Sequence, residues 1–140
     1  MRTIDDLGFL LANVSRRFNG QLVARFADAG YPEVRASFGA VLMPLFQQDD
    51  LRVGDLASRA GLSKQSLTGL LRECEAAGLV ERRRDPADGR AFRVRLTRRG
   101  RRFQRVAEGV LGELDAEVVA RLGRADRDAL IAALKGLMDL

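Results

Sequence analysis

Histidine is absent from the 140 residues, and Cys74 is the sole cysteine. Histidine is the commonest metal ligand and the side chain best suited to proton exchange near neutral pH. Its absence argues against a zinc site and against Ser-His or Cys-His nucleophiles, so the sequence offers no catalytic residue, metal site or cofactor site. A lone cysteine cannot close an intrachain disulfide. No apolar run approaches the roughly 18 residues that a membrane-spanning helix needs. The opening segment MRTIDDLGFLLANVSRRF sets Asp5 and Asp6 among periodic apolar residues, unlike a signal peptide. The expectation is a single soluble domain in the cytoplasm, with no membrane partner.

Arginine is abundant instead. Of 24 basic residues only Lys64 and Lys135 are lysines. Residues 80–105 hold 11 arginines against Glu81, Asp85 and Asp88, a net charge of +8; since the whole chain is +5, the remainder is −3. Such crowding of like charge is costly unless an anion meets it, and a basic segment on a mildly acidic body suits a nucleic acid. A solvated charged face is the plainer reading of composition alone.

Hydrophobic periodicity organises the chain. Ile4, Leu7, Leu11, Val14, Phe18 and Leu22 recur at helical spacing, with Thr3 available as a cap, and predict a helix of about 25 residues ending near Gly30. Its length suggests packing along another long helix, from the same or a second chain. Pro32 suits the start of a second helix carrying Val34, Phe38, Val41, Leu42 and Leu45, which Pro44 should kink or end. VGDLASRAGL at 53–62 reads as a short helix stopped by Gly61. Ser63 then caps SKQSLTGLLRECEAAG, a helix ending at Gly78. Two short helices about a glycine turn form a helix-turn-helix pattern. Past Gly78 the period becomes two: LVERRR and AFRVRLT predict strands, with Phe92, Val94 and Leu96 alternating with Arg93 and Arg95, joined by DPADGR with Asp-Gly at the tip. Thr97 can cap a long helix with a stripe from Phe103 to Leu122, stopped by Gly123, and a last helix carries Leu130, Ile131, Leu134, Leu137 and Met138.

Helix-turn-helix followed by a basic hairpin is a winged helix-turn-helix. Its second helix can enter a major groove while the hairpin reaches the adjacent minor groove. Lys64, Gln65, Ser66 and Thr68 fall in the first turns of that helix, where Gln can read adenine, Lys guanine, and hydroxyls either base or phosphate; a polar solvent face is the alternative. Ser63 and Arg72 share this helix region, and Ser37 can bond a phosphate from the start of the second helix. On the wing, Arg83, Arg84 and Arg93 can neutralise phosphates and Arg90 can enter a minor groove. Asp85 and Asp88 can aim these arginines through charge-assisted bonds.

The segment from Leu51 to Gly100 resembles the DNA-binding core of the multiple-antibiotic-resistance regulator (MarR) family. The resemblance lies in DLA at 55–57, GLS at 61–63, GLVERR at 78–83, and Asp85, Asp88, Arg90, Leu96, Thr97 and Gly100 of the wing and its exit. It implies a mainly α fold with a small antiparallel β-wing: a core at 32–97, with dimerisation helices at 1–31 and 98–140. It also implies a homodimer that binds double-stranded DNA at a pseudo-palindromic operator, most often as a repressor, and releases it to a small-molecule effector or oxidant. Two positions depart from the family pattern. Gly69 stands where an arginine is common, and Arg72 where an acid is common.

Other readings attach to single residues. Cys74 can be read as a redox sensor, but it shares the apolar stripe of Leu67, Leu70 and Leu71, as a buried inert thiol would. Phe9, Phe18 and Phe26 can line a ligand pocket or pack a core or dimer interface. A winged-helix module that binds protein without DNA is the alternative function; the basic wing argues against it.

Overall fold

The structure is a computed structural model and describes residues 2–140. Its elements are helix α1 (Leu7–Asp28), α2 (Gly39–Gln47), strand β1 (Leu51–Arg52), α3 (Val53–Ala60), α4 (Lys64–Ala76), β2 (Val80–Asp85), β3 (Asp88–Leu96), α5 (Arg98–Leu122) and α6 (Arg124–Gly136). It is a mainly helical chain with one small antiparallel sheet, ordered β1-β3-β2. Two compact units divide it, one up to Val106 and one from Ala107 onward.

Asp6 caps α1, accepting from the Phe9 amide at 2.9 Å. Thr3, the expected cap, lies in a short 3-10 turn instead. A carboxylate does the same work better at the positive end of a helix. Ile4, Leu7, Phe9, Leu10, Leu11 and Val14 are all exposed, whereas Phe26 near the far end is buried. Pro32 does not start α2. The chain is held open there by burial of Tyr31 and Val34, passes a 3-10 turn at Ala36–Phe38, and becomes α-helical only at Gly39. Pro44 sits inside α2, yet the helix continues to Gln47. Val41, Leu42 and Leu45 are buried around it, and this packing outweighs the one hydrogen bond that proline removes.

Leu56 and Ala57 of α3 and Leu67, Leu71 and Cys74 of α4 form the core of the helical pair. The turn between them runs through Gly61 at φ 67, the left-handed conformation that lets α3 stop and α4 start within three residues. Phe103 of α5 is buried against Phe26 and Tyr31, each with ring centroids at 4.9 Å. The unit from Ala107 onward holds the rest of α5 and α6, on which Leu122, Leu130, Leu134 and Leu137 are exposed.

The start of α5 is locked by a close approach. Thr97 Oγ1 accepts from the Gly100 amide at 3.0 Å and donates to the Gly78 carbonyl at 2.5 Å. The Leu79 carbonyl accepts from the Thr97 amide at 3.0 Å. A Cβ on Gly100 would lie 2.1 Å from that same carbonyl oxygen, so only glycine fits.

Candidate nucleic-acid interface

In the β2–β3 hairpin, strand pairing is regular from Val80↔Leu96 to Arg84↔Phe92 and then shifts, so that Asp85 faces Asp88. The turn is therefore Pro86-Ala87, not Asp88-Gly89, which belong to β3. The shift sets Gly89, Arg90 and Ala91 opposite a single step of β2, as a bulge. Arg90 projects from it with its side chain 96% exposed. Asp88 braces this bulge: its Oδ1 accepts from the Arg90 amide at 3.1 Å, and the Arg90 Nε lies at 3.7 Å.

Strand β1, which hydrophobic periodicity does not predict, completes the sheet. Its Arg52 pairs with Arg93, and Arg93 pairs with Arg83, so three arginines form one row across three strands. Two carboxylates hold the row. Asp50 Oδ1 accepts from Arg93 Nε at 3.0 Å and its Oδ2 from Arg83 Nη2 at 3.3 Å. Asp85 Oδ2 lies 2.8 Å from Arg52 Nε and 3.5 Å from Arg93 Nη1. Both carboxyls are held below the usual aspartate range. For Asp50 the hydrogen bond from Arg93 is the leading cause. For Asp85 it is the bond from the Ala87 amide, followed by the charges of Arg52 and Arg93. Asp85 is buried, whereas Asp50 sits at φ 62, the left-handed region that aspartate tolerates better than most residues. Asp49 closes the same corner by accepting from the Leu96 amide at 2.9 Å.

The opposite face of the hairpin turns toward the helices. There a groove of about 470 Å³ opens between α4 and the wing, lined by Gly54, Lys64, Thr68, Arg82, Arg90 and Phe92 among others. Lys64 and Gln65 stand exposed at the first turn of α4. Ser63 caps this turn by accepting from the Ser66 amide at 3.1 Å, and its hydroxyl donates to that of Ser66 at 3.0 Å. Thr68 Oγ1 donates to the Lys64 carbonyl at 2.7 Å. These three hydroxyls thus serve the helix, with lone pairs left over. Arg72 is exposed one turn further on, and Ser37 is exposed on the 3-10 turn before α2, which packs against α4. Arg84 has no carboxylate partner among the described residues; its Nη1 donates to the Gly89 carbonyl at 2.5 Å.

The MarR family model matches residues 41–91. The HTH-type transcriptional repressor Rv2887 of Mycobacterium tuberculosis is 34% identical over 118 residues, covering 83% of this chain and 81% of that one. The chain belongs to the MarR family. Solved structures share its fold. The transcriptional repressor CouR bound to a 23-mer DNA duplex superposes with TM-score 0.82 at 22% identity, covering 98% of each chain. The PcaV regulator of Streptomyces coelicolor, in complex with its natural ligand, superposes at 0.81 with 20% identity, covering 99% of this chain and 96% of that one.

For a MarR protein, the sequence-predicted arginines thus divide into two groups. Arg83 and Arg93 are tied into the sheet by Asp50 and Asp85, while Arg84, Arg90 and Arg72 project outward. Asp50 and Arg52 were not legible as wing residues, because the short β1 has no periodicity and a positive φ leaves no mark at an aspartate. Of the three apolar residues that alternate with Arg93 and Arg95, Val94 and Leu96 are buried and Phe92 is 40% exposed. Cys74 is fully buried, and burial pushes its thiol up to about 12, consistent with an inert core residue. Among the described residues no helix is long and apolar enough to cross a membrane.

Proposed function

We propose that this MarR-family chain is a cytoplasmic homodimer that binds double-stranded DNA at a pseudo-palindromic operator, represses transcription there, and lets go when a small-molecule effector binds. The observation that carries this reading is the convergence of the exposed first turn of α4 and the projecting Arg90 on one groove. Lys64 and Gln65 read base edges, with Ser63, Ser66 and Thr68 placing the turn against the backbone. Arg84, Arg90, Arg72 and Ser37 supply phosphate and minor-groove contacts, and Arg83 and Arg93 add field from the sheet. Asp85 and Asp88 orient the wing. The apolar residues exposed on α1 and α6 support dimerisation through segments 1–31 and 98–140. The reading assigns no reaction to the chain.

Salt titrations of binding test it, run on a duplex selected by the wild-type protein and on scrambled DNA. Arg90→Ala weakens binding and flattens the slope of log affinity against log salt by about one. Gln65→Ala leaves the slope and relaxes discrimination at particular base pairs by about 1–3 kcal/mol. Wild-type behaviour of Arg90→Ala on both DNAs would remove the wing from the interface.

A further inference from the structure

Phe92 is an exposed aromatic ring on the groove face of the wing, where a polar residue would be the ordinary choice. It does not join the core that its strand neighbours Val94 and Leu96 enter. What covers it is charge: the Arg84 guanidinium carbon lies 5.4 Å from the ring centroid and that of Arg82 lies 5.9 Å away. The two arginines differ in what else they meet. Arg82 Nε lies 2.8 Å from Glu75 Oε1, so its charge is matched within the fold. Arg84 is Phe92's partner across the strands, and among the described residues it meets, besides the ring, only the Gly89 carbonyl. Ring and carbonyl together hold the Arg84 guanidinium, with no carboxylate partner among the described residues, beside Phe92, which lines the groove with Lys64 and Thr68.

We propose that Phe92 is a positioning residue of the DNA interface: its ring presets the Arg84 guanidinium for a phosphate of the DNA strand that passes from α4 to the wing. The inference rests on the DNA-binding reading above. A long arginine side chain otherwise samples many rotamers, and ordering it on binding weakens the complex. A flat ring at Phe92 removes that ordering step, which an aliphatic side chain of similar size does not do. Phe92 acts through Arg84, so the two residues are coupled.

The test uses the full-length protein and a fluorescent duplex selected by wild type from a random-sequence pool, with dissociation constants taken across a salt series. Phe92→Leu weakens binding by about three- to tenfold, the factor expected for losing a cation–π contact, with little change in salt slope because both arginines remain. Phe92→Tyr stays within about twofold of wild type, since the ring face is kept. In an Arg84→Ala background Phe92→Leu has no further effect. Thermal melting of Phe92→Leu and Arg84→Ala stays near wild type, which separates positioning from folding. Wild-type affinity for Phe92→Leu overturns the inference while leaving the DNA reading intact, as does a loss that persists in full without Arg84. A wild-type protein that selects no duplex overturns both.

Discussion

Arg93 reaches Asp50 twice: its Nε donates to the Asp50 carboxylate at 3.0 Å and its Nη2 to the Asp50 main-chain carbonyl at 2.8 Å, across 43 residues of sequence. This joins the middle strand of the wing to the loop that precedes the helix-turn-helix. An arginine that a charge count offers to DNA is thereby also a strut.

Removing the anchor separates side chain from backbone. Asp50→Ala loses the carboxylate contacts to Arg93 and Arg83, retains the main-chain one, and keeps the unfavourable φ, at a cost of about 1–3 kcal/mol. Asp50→Gly loses the same contacts but relieves the backbone, and lies about 1 kcal/mol closer to wild type. Urea midpoints of the two variants measure this. Equal destabilisation would mean that the φ carries no strain.

The paired aspartates set an acid limit. Asp50 and Asp85 have folded-state pKa values below the ordinary 3.8. A depressed carboxyl contributes stability that is fully present above its unfolded pKa and is lost as pH falls through the folded value. These two groups therefore leave stability level from neutral pH down to about 5 and erode it below about 4. Asp85→Asn weakens the protein at pH 7 and flattens the acid limb. An acid limb as steep as wild type in that variant would remove Asp85 from the cause.

Cys74 behaves in the opposite sense. Its pKa is raised from 9.0 to about 12, chiefly by burial, so the neutral thiol is favoured in the folded state. That contribution is fully present below pH 9.0 and is lost as pH rises toward about 12. The folded protein resists alkylation by iodoacetamide at pH 8, and the urea-unfolded protein reacts. Cys74→Ala costs about 1 kcal/mol or slightly more through lost packing, and leaves DNA binding under peroxide as in wild type. Peroxide-driven release that vanished in this variant would make Cys74 a sensor.

Two glycines give opposite signs. Gly100→Ala drives a methyl into the Leu79 carbonyl and costs about 2 kcal/mol or more. Gly69 of α4 has nothing within 4 Å of an added Cβ, so Gly69→Ala stabilises by about 1 kcal/mol. Thermal melts read both. If Gly100→Ala melted like wild type, the approach of α5 to the Gly78–Leu79 turn would not be tight.

The helix-turn-helix, the two long strands and both terminal helices follow from period and punctuation: Gly61 stops α3, Ser63 caps α4, and Gly78 and Thr97 bracket the hairpin. Each of these is a local preference, expressed within a few residues, so the sequence alone determines it. The family follows from the same local motifs. Other features depend on residues distant in the chain. Pro44 stays inside a helix because Leu42 and Leu45 are buried around it. The turn falls at Pro86-Ala87 because the strands shift register between Arg84 and Asp85. Phe92 is 40% exposed although it shares a strand face with buried Val94 and Leu96, because it lines the groove and not the core. That Arg83 and Arg93 are tied into the sheet was decided by β1: two residues, too short for any period, whose pairing with β3 brings Asp50 and Arg52 beside Arg93. Charge counts along a chain are local, but charge pairing is a property of what the fold brings together.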